Sequence, residues 1–396
     1  NWLVRSAAAR ALAQIAPSDA QPISSLLDLL AEKHWPARSE AVRALAQVAP
    51  SDPQTISSLL HLLADEHWRV RSAAARALAQ IAPSDPQTIS SLLHLLADED
   101  SDVRYVAASA LAQIAPSDPQ TISSLLDLLA DEDSDVRYAA ASTLAQIAPS
   151  DPQTISSLRD LLADEDSDVR SEAASALAQI ASSDPQTISS LLDLLADEDR
   201  WVRSEAARAL ARLAPSDPQT ISSLRDRLAD EDWRVQYAAA SALAQIAPSD
   251  PQTISSLRHL LVNENSNVRH AAASALARLA PSDPQTISSL RHLLAEKDWR
   301  VREAAARALA HKAPSDPQAV SCLRDLVADD DSNVRYVAAS ALAGIAPPDH
   351  KTMSALGALL DDTSQGTSWN RVCDAAYESI LLLLQKGAKK PPLLEN

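Results

Sequence analysis

The chain has 396 residues, enough for two or three ordinary domains, but its formal net charge of −18 argues against a surface that grips phosphate backbones throughout. Apolar residues make up 46% of it, yet aromatic residues only 3% and phenylalanine none, so a core must be built from Leu, Ala, Ile and Val, which suits closely packed helices. Cys322 and Cys373 stand in unrelated contexts and give neither a disulfide framework nor a metal motif, so a cytoplasmic setting is the simpler expectation. The longest apolar run, residues 380–384, is far too short to span a bilayer, and no signal peptide is evident, so no membrane partner is expected.

From its first residues the chain reads as a repeat. "NWLVRSAAAR" matches the middle of a unit, which suggests a piece of a longer protein. A Val-Arg pair then serves as a ruler, at Val4, Val70, Val103, Val136, Val169, Val202, Val268, Val301 and Val334, with Ala37-Arg38 and Val235-Gln236 in the two irregular places; every step is 33 residues and there are eleven units. Each unit predicts two helices, the first like "QTISSLLDLLA" and the second like "DVRYAAASALAQIA", from apolar spacings of three and four. In the turn "APSDPQ" a proline ends one helix, Ser or Asp caps the next, Pro sits in its first turn, and Ser-x-x-Gln offers a capping box. Glycine, at 344, 357, 366 and 387 only, plays no part in these turns.

Leucine dominates the first helices and alanine the second, so the second helices are expected to approach one another closely and line a concave face. At roughly 8–10 Å per helix layer, eleven units extend on the order of 100 Å. A single unit buries too little to fold alone, and stability is expected from interfaces between neighbours. Residues 1–360 are read as the array. After "APPDHKTMSALGALLDD" a polar insert, "TSQGTS", precedes a longer terminal helix with Val372, Ala375, Ala376 and Ile380 on its apolar face; residues 361–396 are read as linker, capping helix and tail.

"LLADEDSDVRYAAASALAQIA" resembles the HEAT-repeat family, in particular the short HEAT-like units of phycobilin lyases and of sensor arrays in bacterial NTPases, over about 360 residues. The resemblance implies an all-α fold, a right-handed α-α superhelix. It also implies a ladder in which an Asp six residues before the Arg pairs along the stack: Asp65 with Arg71, Asp98 with Arg104, Asp131 with Arg137, Asp164 with Arg170, Asp197 with Arg203 and Asp329 with Arg335. Glu32, Glu296, Asn263 and Gln236 depart from that pattern, so the ladder is expected to weaken near units eight and nine.

In near-identical units the positions that differ are informative. Two residues before the Val, two after it and six after it the chain varies in kind, and these places, spaced by four, share one helix face. Units with Trp2, Trp35, Trp68, Trp201 and Trp299 carry Arg10, Arg43, Arg76, Arg208 and Arg307; others carry Ser in both places, several with Tyr105, Tyr138 or Tyr336 between, and unit eight mixes Trp233 with Tyr237. Trp, Tyr and Arg anchor protein interfaces, so this stripe is the expected site for a protein or peptide. The competing reading is that each Trp packs on the Arg stem of its own helix.

Other chemistry finds little support. His61, His94, His259 and His292 exchange with Asp in other units and read as solvated surface rather than metal ligands. The iron-binding HEAT-like hydroxylases use His-Glu pairs, and this chain has no such dipeptide. There is no phosphate loop, GxSxG or HExxH, and the acidic runs "ADEDSD" read as helix starts rather than calcium loops. The expectation is therefore a non-enzymatic scaffold or recognition arm without a cofactor. A structural spacer, nucleic-acid binding through the Trp, Tyr and Arg stripe, and bilin binding remain as alternatives; the charge makes nucleic acid the less favoured partner.

Overall fold

The structure is a computed structural model that describes residues 2–15, 20–148, 150–180, 184–214, 217–246, 250–279, 284–312, 316–345, 349–360 and 367–385. All regular elements among the described residues are helical. The chain forms two compact units, Asn1–Ser190 and Leu191–Asn396, each a sequential stack of helix pairs.

The third repeat shows how the sequence makes a pair. Asp52, in extended backbone, accepts hydrogen bonds at 2.8 Å from both the backbone N–H and the hydroxyl of Thr55, and Pro53 fills the first turn of the helix Pro53–His61. The cap is thus the Asp, and its partner is the buried Thr rather than the Gln of the expected Ser-x-x-Gln box. Asp85, Asp118, Asp151, Asp217 and Asp250 repeat the arrangement. A tight 3-10 turn, Leu62–Ala64, then redirects the chain into the second helix, Trp68–Ile81. The acidic run before each second helix is divided in labour: in repeat four Asp100 caps the helix Ser101–Ile114 by accepting from Asp102 N–H at 3.1 Å, while Asp98 points to the preceding repeat.

Two layers result. One leucine per first helix (Leu26, Leu59, Leu92, Leu125 and Leu158 in the amino-terminal unit) is wholly enclosed and meets the wholly enclosed Val70, Val103, Val136 and Val169 register of the second helices. Second helices pack directly on one another: Trp35–Val48, Trp68–Ile81, Ser101–Ile114, Ser134–Ile147 and Ser167–Ile180 in one unit; Arg200–Leu213, Trp233–Ile246, Ser266–Leu279, Trp299–Lys312 and Ser332–Ile345 in the other. First helices touch chiefly the second helix of their own repeat. Alanines such as Ala107, Ala108, Ala140 and Ala141, all 0% exposed, permit that close approach, and we call the layer of second helices the inner layer.

The terminal helix, Thr367–Gln385, lies on Ser332–Ile345 and on His350–Leu360. It begins inside the stretch expected to be a polar insert. Val372, Ala375, Ala376, Ile380 and Leu383 are buried, and the Ser379 hydroxyl donates to the Ala339 carbonyl at 3.0 Å. The rest of the expected linker and tail lies outside the described residues.

Candidate protein-binding face

The inner layer is held in register by buried ion pairs whose partners differ from the expected ones. Arg71 does not meet the carboxylate of Asp65. It donates to the Asp65 backbone carbonyl at 2.9 Å and forms a two-point pair with Asp98 of the next repeat, at 2.9 and 2.7 Å. The Asp65 carboxylate is taken instead by Arg38, at 2.7 Å. Arg104–Asp131, Arg137–Asp164, Arg203–Asp230 and Arg302–Asp329 follow the same rule, and Arg170, Arg203 and Arg335 accordingly donate to the carbonyls of Asp164, Asp197 and Asp329. Arg71, Arg104, Arg137, Arg203 and Arg302 thus each satisfy a carboxylate and two successive carbonyls at once, the condition under which a buried pair is tolerated. Burial would raise the pKa of Asp164, but the Arg137 hydrogen bond and charge and the Asp166 N–H outweigh it and hold the carboxyl below its usual range.

The rung expected to be weak is chemically matched rather than broken. Gln236 donates to the Asp230 carbonyl at 2.8 Å, as an Arg would, and its amide oxygen accepts from Asn263 at 3.0 Å. The next rung, Arg269 to Glu296, is a single contact of 3.2 Å, and the full pair resumes at Arg302.

Of each second helix, little but one stripe faces solvent. In repeats four and five the stripe runs one before the Val, then two, six and ten after it: Asp102, Tyr105, Ser109 and Gln113, and Asp135, Tyr138, Ser142 and Gln146 are exposed or partly exposed, and beside it only the helix start and a few residues of the last turn, such as Ser101 and Ile114, are partly exposed. Tyr105 and Tyr138 are each 39% exposed and Tyr336 41%. Burial first, then the charge and hydrogen bond of Glu172, raises the Tyr138 phenol above its ordinary pKa.

Trp35, Trp68, Trp233 and Trp299 stand one residue before the first place of this stripe, and Trp201 occupies that place. Trp35 stacks on His67 of the next repeat, ring centroids 4.5 Å apart, and the Arg69 guanidinium lies 4.7 Å from the Trp35 ring and 4.6 Å from that of Trp68. Trp201, Trp233 and Arg234 repeat the sandwich at 4.8 and 4.7 Å in the other unit. A local cation-π pair at the helix start does form, as in the expected alternative, but its arginine is the one next to the Trp (Arg69 on Trp68, Arg234 on Trp233) and not the one eight residues on. The arginines of that later place go elsewhere: Arg10 and Arg43 share Glu40, Arg208 meets Glu205, Arg307 meets Glu303, and Arg76 has no partner among the described residues. Trp201 and Trp299 are 48% and 37% exposed, Trp233 and Tyr237 are half-buried, and the Trp2 side chain lies outside the described residues.

The residues missed from sequence are Arg69, Arg234, Glu40 and His67. A signal was present: the place before the Val holds Arg in repeats three, eight and ten and Asp in repeats four to six. In the amino-terminal unit Arg69, together with Arg10, Arg43 and Arg76 six places after the ruler residue, makes the inner stripe basic over repeats one to three, and Asp102, Asp135 and Asp168 make it acidic beyond. A cleft of about 450 Å³ opens in its basic half, lined by Arg43, Trp68, Arg69, Ser72, Arg76 and Gln80 among others. His61, His94, His259 and His292 are exposed on the first helices, and the described residues contain no cluster of three or more metal-ligating side chains. Nor is any described helix long and apolar enough to cross a membrane.

A family profile described as HEAT repeats matches residues 23–112, 89–178, 158–244, 221–310 and 296–368, and the chain belongs to the HEAT-repeat family. Among solved structures, importin beta is similar at 17% identity and a TM-score of 0.65, over 93% of this chain and 58% of that one. The Kap95:Nup1 complex gives 16% identity and 0.64, over 92% and 57%. An engineered protein reaches 30% identity over 93% of this chain and 99% of that one, with a TM-score of 0.45. The chain thus spans less than two thirds of the karyopherins it matches. Curated proteins yield no match.

Proposed function

We propose that this chain is a non-enzymatic recognition module that binds a protein or peptide along the inner, alanine-rich layer. One observation carries this reading. The repeats are near-copies in everything that builds the core, and they differ in kind along the most exposed strip of the second helices, on or next to which stand Tyr105, Tyr138, Arg43, Arg76, Trp201 and Trp299. Trp and Tyr bury much area at low entropic cost, Arg adds directed hydrogen bonds, and the three types dominate protein interfaces. The fold-level likeness to importin beta and to Kap95, the latter solved in complex with Nup1, supports a scaffold role by analogy.

The test is site-directed photo-crosslinking. A benzophenone side chain at Tyr105 or Tyr138 is expected to capture a defined protein from extracts of the expressing cell, whereas the same group at His61 or His94, on the outer layer, is not. Equal capture from both layers, or none from the inner one, removes the reading.

A further inference from the structure

We propose that the inner stripe of the amino-terminal unit reads a charge-polarised peptide, whose acidic residues enter the cleft between Arg43 and Arg76 and whose basic residues follow along the row Asp102, Asp135 and Asp168. The inference rests on the inner-layer reading above and names the class of partner for that site.

The cleft lies in a chain of net charge −18, yet its lining carries three arginines against one acid, Asp102. Their donors are available. Arg76 is exposed and has no partner among the described residues, and the one ion pair of Arg43, to Glu40, is long at 3.3 Å and shared with Arg10. The Arg69 guanidinium is held over the rings of Trp35 and Trp68, and none of its N–H groups has a hydrogen-bond partner among the described residues. Ser72, whose buried hydroxyl has no hydrogen-bond partner, also belongs to the lining. A carboxylate is what this set recognises: planar, accepting in two directions, small enough for a cleft of about 450 Å³.

The acidic half decides against a uniform polyanion. Asp102, Asp135 and Asp168 are exposed at corresponding places in three successive repeats, and Glu172 stands beside the last. A nucleic-acid strand or a polyglutamate leaving the cleft in that direction would run over carboxylates, whereas basic residues would be attracted. Tyr105 and Tyr138 flank the path as neutral platforms. From the cleft at repeat three to Asp135 at repeat five is two helix layers, roughly 20 Å, which an extended peptide covers in about six residues. The ligand class is therefore a segment with two or three acidic residues, about six intervening residues and a basic cluster.

The experiment measures fluorescence anisotropy of a fluorescein-labelled peptide, Glu-Glu-Glu, six Gly/Ser/Tyr residues, then Lys-Arg-Lys, against the full chain. Probes for comparison are a same-composition peptide with alternating charges, polyglutamate, inorganic phosphate and a single-stranded oligonucleotide. Saturable binding of the polarised peptide is expected, weakened about tenfold or more by Arg43→Glu with Arg76→Glu and by Asp135→Lys with Asp168→Lys. These exposed substitutions leave the core untouched, which the far-UV circular dichroism melt checks. A peptide with the two charged ends exchanged for Lys-Lys-Lys and Glu-Asp-Glu should regain binding to the chain that carries all four substitutions. Equal binding of the alternating peptide, tighter binding of polyglutamate or the oligonucleotide, indifference to Arg43→Glu with Arg76→Glu, or no saturable binding below about 1 mM each overturns the proposal. If inner-layer crosslinks persist while these variants change nothing, the polarised-peptide proposal fails and the inner-layer reading stands; loss of the crosslinks themselves removes both.

Discussion

At the scale of single residues, the inter-repeat arginine is the most exacting element of the architecture. Arg71 is buried with Asp98, and both charges are tolerated only because each supplies what the other lacks. Arg71→Ala strands the Asp98 carboxylate in a site made for its partner, and a loss of about 3–5 kcal/mol is expected in urea unfolding, the range for breaking a buried pair from one side. The Gln236 and Asn263 rung allows a complementary test. Gln236→Arg alone places a guanidinium opposite an amide, and Asn263→Asp alone places a carboxylate opposite one; together they restore the pairing used at Arg203 and Arg302. A double-mutant cycle should therefore show favourable coupling of about 1–3 kcal/mol, and additivity of the two changes would show that the neutral rung is not a matched replacement.

At the scale of the helix, each first helix whose cap is among the described residues depends on one carboxylate to start it. For Asp85, Asp118 and Asp151 the backbone N–H of the following Thr, and then its hydroxyl, stabilise the ionised form and hold the pKa below the ordinary value; at Asp184, Asp217 and Asp250 the hydroxyl comes first. A depressed carboxylate binds its proton more readily when unfolded, so its contribution is complete above the unfolded pKa of about 4 and is lost as pH falls through the lower folded value. Stability should be level near neutrality and fall steeply below about pH 4. Asp118→Asn with Asp151→Asn keeps an acceptor at both caps but removes the titration, and the acid limb of the urea midpoint against pH is expected to flatten. An unchanged slope would assign acid sensitivity to other groups. Legibility from sequence follows the same physics. The helix pairs, their turns and the alanine layer were readable because Val, Leu and Pro recur at spacings that only stacked helices use. The cap was left open between Ser51 and Asp52 because both suit the role and only the buried Thr55 selects between them. The position of Trp35 was missed because its partners, His67 and Arg69, belong to the next repeat.

At the scale of the molecule, the repeat length itself hid the ladder's register. Each Arg stands six residues after one Asp and 27 before the next, as Arg71 does between Asp65 and Asp98; these separations add up to the 33-residue period, so a sequence of near-copies cannot say which carboxylate is met. The same arithmetic makes a strong prediction about the whole chain. Excising residues 103–135 joins Asp102 to Val136, and Arg137 then lies six residues after Asp98, while Arg71 still reaches Asp98 and Arg137 still reaches Asp164. Every core contact of the new junction has a counterpart in the intact chain, because the enclosed leucines and valines recur with the same period. The shortened chain should fold cooperatively with intact helical circular dichroism, and its urea transition should be lowered only by the loss of one repeat and one interface, as expected for stability that is a sum over neighbours. Excising residues 103–119 instead removes a second helix without the first helix that follows it, placing two leucine-rich helices in succession with no alanine layer between them. That chain is expected to lose the cooperative transition from its amino-terminal unit. Equal damage from both excisions would mean that stability is not carried by nearest-neighbour interfaces between interchangeable repeats.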